Sequence, residues 1–252
     1  MDIIFGFFKG IYHFALYQPI FNALIILVQY IPGKDFGIAI IVLTFVFRFL
    51  TYPLGAQAIR AQKRLSELQP KIKEIQKKFK DKREEQARAV MELYRAEGVN
   101  PFASILPLLL QIPLFIVFIN IFSHGIQVEQ FNYLYSFVAR PDLIEPSFLG
   151  MVSLNEKNIM LAVAAGILQF IQLKQANPKT KKRQKGEKPD MASMMQSQMM
   201  YIFPVFMVIF ASRVPAAFGL YLIATTVFSI WQQWFIARKE RKTSELQPSQ
   251  NV

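Results

Sequence analysis

Long apolar runs separated by charged stretches dominate the pattern of the chain. Residues 37–56 form a run of 20 positions with one formal charge, Arg48. A helix rises about 1.5 Å per residue, so a run of this length crosses a hydrocarbon core of roughly 30 Å. The pattern therefore predicts a first transmembrane helix at 36–56.

Four further apolar runs predict transmembrane helices at 100–123, 158–173, 195–212 and 216–236. Only residues 213–215 separate the last two runs, so we expect them to form a tight helical hairpin. Residues 1–35 are apolar but interrupted by polar positions, which favours an N-terminal anchor with an interfacial amphipathic helix. The segments between the runs are assigned as an external loop (124–157), a basic cytoplasmic loop (174–194) and a basic cytoplasmic tail (237–252).

Residues 57–99 are the most polar part of the chain and keep a helical period. Apolar side chains recur at heptad spacing on two stretches, which predicts an antiparallel, charged helical hairpin in the cytoplasm. The first stretch is Leu65, Leu68, Ile72, Ile75 and Phe79, and the second is Ala87, Val90 and Tyr94. Pro70 is expected to end one helix and start another, because proline cannot donate a helical hydrogen bond.

Basic residues fall on one side of the predicted bundle. Twelve Lys and Arg lie in 58–99, seven in 174–190 and four in 238–242, out of 29 in the chain. By the positive-inside rule these segments are cytoplasmic, with the N-terminus outside and the C-terminus inside. That orientation requires an odd number of spans, which agrees with five. The prediction is an all-α integral membrane protein.

Composition excludes several classes of function. The chain has no cysteine, and its two histidines, His13 and His124, have no ligand or catalytic partner at a recognisable spacing. No nucleotide-binding glycine motif is present. We therefore predict no enzyme activity, no catalytic residue, no metal and no cofactor. The net charge of +12 is explained by topology, so DNA is not an expected partner.

Arg48 is the most unusual residue of the first span. It lies about 17 Å along the helix from Gly37, past the midplane, where a charge is costly. Thr44, Arg48, Thr51 and Tyr52 share one helical face and make a polar stripe. Arg48 either snorkels to the inner interface or faces a wet cavity. No predicted span contains an acidic residue that could neutralise it.

Five segments in register resemble the YidC/Oxa family of membrane-protein insertases, in its short bacterial form. They are LYQPIFNALI (16–25), PGKDFGIAIIVLTFVFRFLTYPL (32–54), LQPKIKEIQKKF (68–79), GVNPFASILPLLLQIPLFI (98–116) and PAAFGLYLIATTVFSIWQQ (215–233).

The resemblance implies five transmembrane helices around a hydrophilic groove that is open to the cytoplasm and to lipid. Arg48 matches the family's groove arginine, which attracts the hydrophilic tail of a nascent membrane protein. The third and fifth spans would form the slide along which the new helix enters lipid. Nascent membrane proteins and the bilayer are the implied partners, with a Sec-type translocon and, through the basic tail, the ribosome as further ones.

Candidate site residues follow from position and polarity. The groove set is Arg48, Thr44, Thr51, Tyr52, Gln111, Gln169, Thr225, Ser229 and Gln232. For the last five, an ordinary interhelical hydrogen bond is an equally good explanation. The substrate-capture set is Leu68, Ile72, Ile75, Met194 and Met195; for the methionines, loose helix-end packing is the alternative. A small channel or transporter, or a scaffold that assembles membrane proteins laterally, remains the alternative function.

Overall fold

The computed structural model describes residues 10, 12–80, 82–100, 106–123, 128–141, 146–176 and 191–246. Within these ranges the chain is mostly helical and forms eight α-helices and one small β-hairpin. The helices are α1 (Gln18–Tyr30), α2 (Phe36–Leu50), α3 (Tyr52–Lys78), α4 (Arg83–Ala96), α5 (Leu106–Ser123), α6 (Ile159–Ala176), α7 (Met191–Ala211) and α8 (Ala216–Leu246). The strands are β1 (Ser147–Phe148) and β2 (Val152–Ser153).

The first predicted span does not continue as one straight helix to residue 56. It ends at Leu50, and α3 leaves it at an angle of 69°. Thr51 at the junction has φ −92° and ψ 5°, outside helical geometry. Pro53 explains the bend, because its ring collides with the carbonyl of Phe49 and it offers no N–H. The bend sends α3 away from the direction of α2.

The main apolar core lies between α1, α2, α5 and α8. Phe21 and Ile25 of α1 pack with Ile40 of α2, Val117 of α5 and Phe218 of α8, and all five are almost fully buried. Asn22, also buried, faces residues 133–135 and binds Tyr133 and Tyr135 through their backbone. The short N-terminal helix is therefore packed on the bundle, while its predicted interfacial placement stays a prediction.

Helix α6 lies between α7 and α8, which is a correction to the expected pairing of the last two helices. The connection from Ala211 to Ala216 is as short as predicted, but α7 packs mainly against α6. A glycine allows the close approach: a Cβ on Gly166 would lie 2.2 Å from a methyl of Val208. The sequence does not predict this arrangement. A short connection keeps the adjoining ends of two helices close together, but it does not determine the angle at which the helices cross.

Exposed apolar side chains line the outer faces of α6 and α7. On α6, Val163, Ile167 and Ile171 recur every four residues, and on α7 Val205 and Ile209 do the same. Such a continuous exposed apolar surface is typical of contact with lipid. In the part of the chain that the structure describes, Ile159–Ala176 and Ala216–Arg241 are long and apolar enough to span a membrane. The bent pair α2 and α3 would be a third span, so the total of five stays a prediction.

A small cap, residues 147–156, covers the N-terminal ends of α2 and α8. The carboxylate of Asp35 accepts hydrogen bonds from the backbone of Ile38 (2.8 Å) and Leu149 (2.5 Å), which joins the start of α2 to the β-hairpin. The backbone N–H groups of Ala216 and Ala217 donate to Glu156 and Leu154 at 2.7 and 3.0 Å. These contacts satisfy donors that the first turn of a helix leaves unpaired. The sequence predicts an external loop at 124–157, and the β-hairpin within it was not predicted.

Helices α3 and α4 pack side by side through the predicted apolar stripes. Leu68 and Ile72 are buried against Val99, with Val90 and Tyr94 at the edge of the cluster. Pro70 does not break α3, contrary to expectation. It is exposed, and packing of Leu68 and Ile72 on either side holds the helix together.

We expect Leu68→Asp to unfold the α3–α4 pair while the rest of the chain stays in the membrane. A carboxylate at a 7% exposed position costs several kcal/mol by estimates for unpaired buried charges, more than so small a cluster supplies. Limited proteolysis of reconstituted protein should show cleavage within 57–99 at a protease concentration that leaves wild type intact.

The matched control is Met91→Asp on α4, where the side chain is exposed and should tolerate a charge. Loss of the Leu68→Asp protein from the membrane fraction would instead mean that this helix pair is part of the membrane-embedded core.

Candidate functional site

The side chain of Arg48 joins three helices just before the bend. Its Nε donates to Thr225 Oγ1 on α8 at 2.6 Å, and its Nη2 donates to Gln111 Oε1 on α5 at 2.7 Å. Nη2 also contacts the Thr225 hydroxyl. The structure thus brings together Arg48, Gln111 and Thr225 from the predicted set, at sequence separations of 63 and 177 residues.

Tyr221 extends this network and was missed by the sequence analysis. Its hydroxyl accepts a hydrogen bond from Gln111 Nε2, and its ring stacks on Phe118 with centroids 4.2 Å apart. The residue is 1% exposed. One signal was available: Tyr221 precedes Thr225 by four residues and so shares its helical face. A tyrosine in an apolar run gives no hint by itself that its hydroxyl is used.

The network provides hydrogen-bond acceptors for the Arg48 guanidinium without neutralising its positive charge. Its acceptors are a hydroxyl and a carboxamide, both uncharged. Among the described residues, no carboxylate lies within ion-pair distance of the guanidinium. Hydrogen bonds to neutral groups reduce the cost of taking a charge out of water but leave the charge in place. The arrangement can therefore attract an anionic group.

Three other predicted groove residues use their hydroxyls within their own helices. Thr44 donates to Ile40 O at 2.7 Å, Thr51 to Phe47 O at 2.9 Å, and Ser229 to Thr225 O at 2.9 Å. Each bond reaches back one helical turn, a common way for a membrane helix to satisfy a hydroxyl. Thr44 and Ser229 are buried, so neither is presented to an open surface.

Gln169 and Gln232 lie away from Arg48. Gln169 Nε2 bonds Gln172 at 3.0 Å, and the hydroxyl of Thr226 donates to Gln169 Oε1 at 3.5 Å, so this pair belongs to the contact of α6 with α8. Gln232, only 3% exposed, donates to the carbonyl of Tyr52 at 3.0 Å and braces the bend. The structure therefore divides the predicted groove set into an arginine network, hydroxyls bonded within their own helices, and the separate interhelical contacts of Gln169 and Gln232.

The described members of the predicted substrate-capture set do not form an exposed surface. Leu68 and Ile72 lie inside the contact between α3 and α4, and Ile75 is half-buried. These residues were chosen for their heptad spacing. Heptad spacing indicates packing between two helices and therefore does not identify an exposed binding face. The side chains of Met194 and Met195 lie outside the described part of the structure.

An apolar barrier separates the arginine network from the capped end of the bundle. Between Arg48 and the start of α2, the buried side chains of Phe36, Ile40 and Leu43 face the bundle. Phe36 meets Phe122 of α5 edge to face, with ring centroids 6.0 Å apart. Beyond Thr44, whose hydroxyl is bonded to Ile40 O, α2 therefore offers no polar side chain toward that end before Asp35 at the cap.

Comparison of the sequence with known proteins matches the chain to one family. The model of the 60Kd inner membrane protein family matches residues 26–244. The membrane protein insertase YidC of Prosthecochloris aestuarii is 31% identical over 218 residues, which cover 84% of this chain and 34% of that protein. The insertases of the same name from Chlorobium limicola and Francisella philomiragia are 30% and 29% identical, over 81% and 83% of this chain. The chain spans about a third of the length of these curated relatives.

Proposed function

The chain belongs to the 60Kd inner membrane protein family, the YidC/Oxa group, and we propose that it is a membrane-protein insertase and chaperone without enzymatic activity. It moves hydrophilic tails of nascent membrane proteins through a positively charged intramembrane groove and releases their helices into lipid. The observation that carries this proposal is the arginine network, because the hydrogen-bond partners of Arg48 in the described part of the chain are uncharged and leave its charge in place inside the bundle.

The activity follows from the cost of moving polar groups through hydrocarbon. Each unpaired peptide group or charge costs several kcal/mol in the bilayer core, so a hydrophilic tail does not cross unaided. A polar groove that reaches Arg48 shortens the dry path, and the guanidinium adds attraction for acidic tails. Partition of the client's own apolar helix into lipid supplies the driving force. No covalent step and no cofactor is required.

The capped end of the bundle supports an insertase over a channel. A channel needs a continuous polar path, whereas apolar side chains and the 147–156 cap cover the far end of α2. A lateral assembly scaffold would need only the exposed apolar faces of α6 and α7. It would leave the buried polar network of Arg48, Gln111 and Tyr221 without a role.

The exposed apolar faces support a lateral exit for clients. Helix α6 presents Val163, Ile167 and Ile171 outward and packs on α8, so a client helix leaving the bundle would meet apolar surface continuously. The proposed slide is formed by α6 and α8. The pair α3 and α4 would receive the client first, through its charged outer surface and not through Leu68 or Ile72.

The proposed architecture has five spans in a bacterial plasma membrane, with the N-terminus outside and the C-terminus in the cytoplasm. The basic segments 58–99 and 238–242 then share the cytoplasmic side. The link between them supports this: Glu240 of α8 pairs with Lys63 and, at 3.7 Å, with Arg60 of α3. Proposed partners are nascent membrane proteins and lipid, with a Sec-type translocon and the ribosome as further ones.

Site-specific crosslinking of a stalled nascent chain tests the proposal. A photoreactive residue replacing Gln111 lies beside Arg48, and one replacing Val205 lies on the exposed face of α7. We expect a single-span client with a short acidic tail to crosslink at 111 while its tail is crossing, and to lose that crosslink once released. Crosslinks confined to position 205 would favour the scaffold.

A further inference from the structure

The tip of the β-hairpin presents two large apolar side chains to the outside of the bundle. Leu149 is 53% exposed and Met151 is 80% exposed. They flank Gly150 in a turn closed by a hydrogen bond from Met151 N to Phe148 O at 3.0 Å. Residues 147–154 contain no charged side chain. The tip is thus an apolar projection on a segment with no charge of its own.

The turn chemistry does not explain why residue 149 is leucine. Leu149 and Gly150 both have left-handed backbones, with φ of 52° and 66°. Turns of this kind favour Asn-Gly or Asp-Gly, because asparagine and aspartate tolerate φ above zero and a bulky apolar residue does not. Packing does not explain it either, since about half of the side chain is exposed. A strained, exposed, apolar residue points to a role for its side chain outside the fold.

The base of the hairpin is held rigidly, so the tip has a fixed direction. Asp35 binds the backbone N–H of Leu149 at 2.5 Å, and a Cβ on Gly37 would lie 2.4 Å from the ring of Phe148. Leu154, on the other side of the hairpin, is fully buried and accepts a hydrogen bond from Ala217. The hairpin is therefore clamped to the ends of α2 and α8, and its tip cannot fold back to bury itself.

We propose that Leu149 and Met151 insert into the lipid leaflet at the capped end of the bundle and anchor the cap there. Helix α6, which is long and apolar enough to span a membrane, begins a few residues after the hairpin with the exposed side chains of Ile159 and Met160. The tip therefore lies close in sequence to the end of a membrane-spanning segment, beyond the exposed residues 155–157. A protein partner fits less well, because two side chains can bury far less surface area than the roughly 800 Å² that each partner buries in a stable complex. Interfacial segments reach about 5–10 Å into the headgroup and acyl boundary, a depth that side chains on a turn can contact.

Single-cysteine labelling of the full chain in nanodiscs tests this proposal. The chain contains no cysteine, so Met151→Cys and Asn155→Cys each accept one environment-sensitive NBD label without further changes. Asn155 is an exposed polar position on the same cap and serves as the control. In discs that hold one copy of the chain, we expect the emission of the label at 151 to be blue-shifted relative to that at 155. Because an interfacial segment reaches the boundary of headgroups and acyl chains, nitroxide-labelled lipid should quench the label at 151 at least about twofold more than the label at 155. Equal, water-like signals at both positions would overturn the proposal.

A second variant separates lipid contact from folding. Leu149→Asn suits the left-handed backbone, so the thermal midpoint should not fall, while lipid quenching at position 151 should drop toward the level at 155. Unchanged quenching would show that Leu149 does not hold the tip in lipid, and would overturn the proposal. Protection that appears only in discs with two copies would also overturn it, because the tip would then contact a second copy of the chain.

Discussion

Arg48→Glu is expected to abolish insertion of single-span clients with acidic tails, the largest functional effect that the structure predicts. The change replaces attraction by repulsion at the only charged side chain of α2. Arg48→Ala should reduce the rate on the same clients on the order of tenfold, since a charge-assisted contact contributes about 1.5–3 kcal/mol and 1.4 kcal/mol is a factor of ten. The measurement is insertion into proteoliposomes that hold matched amounts of each variant.

Arg48→Lys separates charge from geometry. An ammonium keeps the positive charge but cannot reproduce the guanidinium fork that reaches Thr225 and Gln111 together. If charge carries the function, Lys retains most of the activity on acidic tails, and neutral-tailed clients respond little to any of the three changes. If the fork is structural, Lys fails nearly as badly as Ala on both kinds of client, and all variants lose thermal stability.

Arg213→Ala is the matched control for these variants. Arg213 is an exposed arginine in the connection between α7 and α8, outside the arginine network. Its removal should leave insertion of both clients unchanged. Equal activity of Arg48→Ala and wild type on acidic-tailed and neutral-tailed clients would remove Arg48 from the mechanism and with it the proposed groove.

Gly166→Ala is expected to cause the largest loss of stability from a single methyl group. The added Cβ would meet a Val208 methyl at 2.2 Å and the Pro204 carbonyl at 3.3 Å. The side chain of Val208 has little rotational freedom about χ1, and moving the Pro204 backbone is costly, so α6 and α7 must separate. Overpacking of this kind costs about 1–3 kcal/mol, against a helix-propensity gain of at most about 1 kcal/mol. Thermal unfolding in detergent should show a lower midpoint for the variant.

Gly219→Ala provides a control with the same chemical change. Gly219 lies on α8 against α6, where the nearest atom to an added Cβ is Leu161 Cβ at 3.4 Å, an ordinary contact. This variant should keep or raise the midpoint, because alanine favours the helix. A Gly166→Ala protein as stable as Gly219→Ala would show that α6 and α7 do not approach as closely as the structure describes.

Several elements could be predicted from the sequence because they depend on local pattern. The start of α8 at Ala216 follows from a short polar break between two apolar runs, and the stripes of Leu68 and Val90 follow from helical periodicity. The family could be identified because long motifs keep their order along the chain, and the family model confirms that identification over residues 26–244. The presence of an arginine inside an apolar helix also needs only the sequence.

Other features had no signal in the sequence because each depends on residues far apart in the chain. Packing of α2 against α5 and α8 decided that the uncharged groups of Gln111 and Thr225 accept hydrogen bonds from Arg48. Leu68 was predicted to capture clients, but it is buried between α3 and α4. A heptad position indicates that a helix face is covered, but it does not indicate whether a neighbouring helix or a client covers it. The β-hairpin cap formed because Asp35 and the first turn of α8 offer partners 60 or more residues away along the chain. The sequence by itself determined which segments are apolar, helical and basic, since these follow from short-range pattern and composition. Only the tertiary structure decided which polar groups meet, because hydrogen-bond partners are selected by the crossing of helices and not by spacing along one helix.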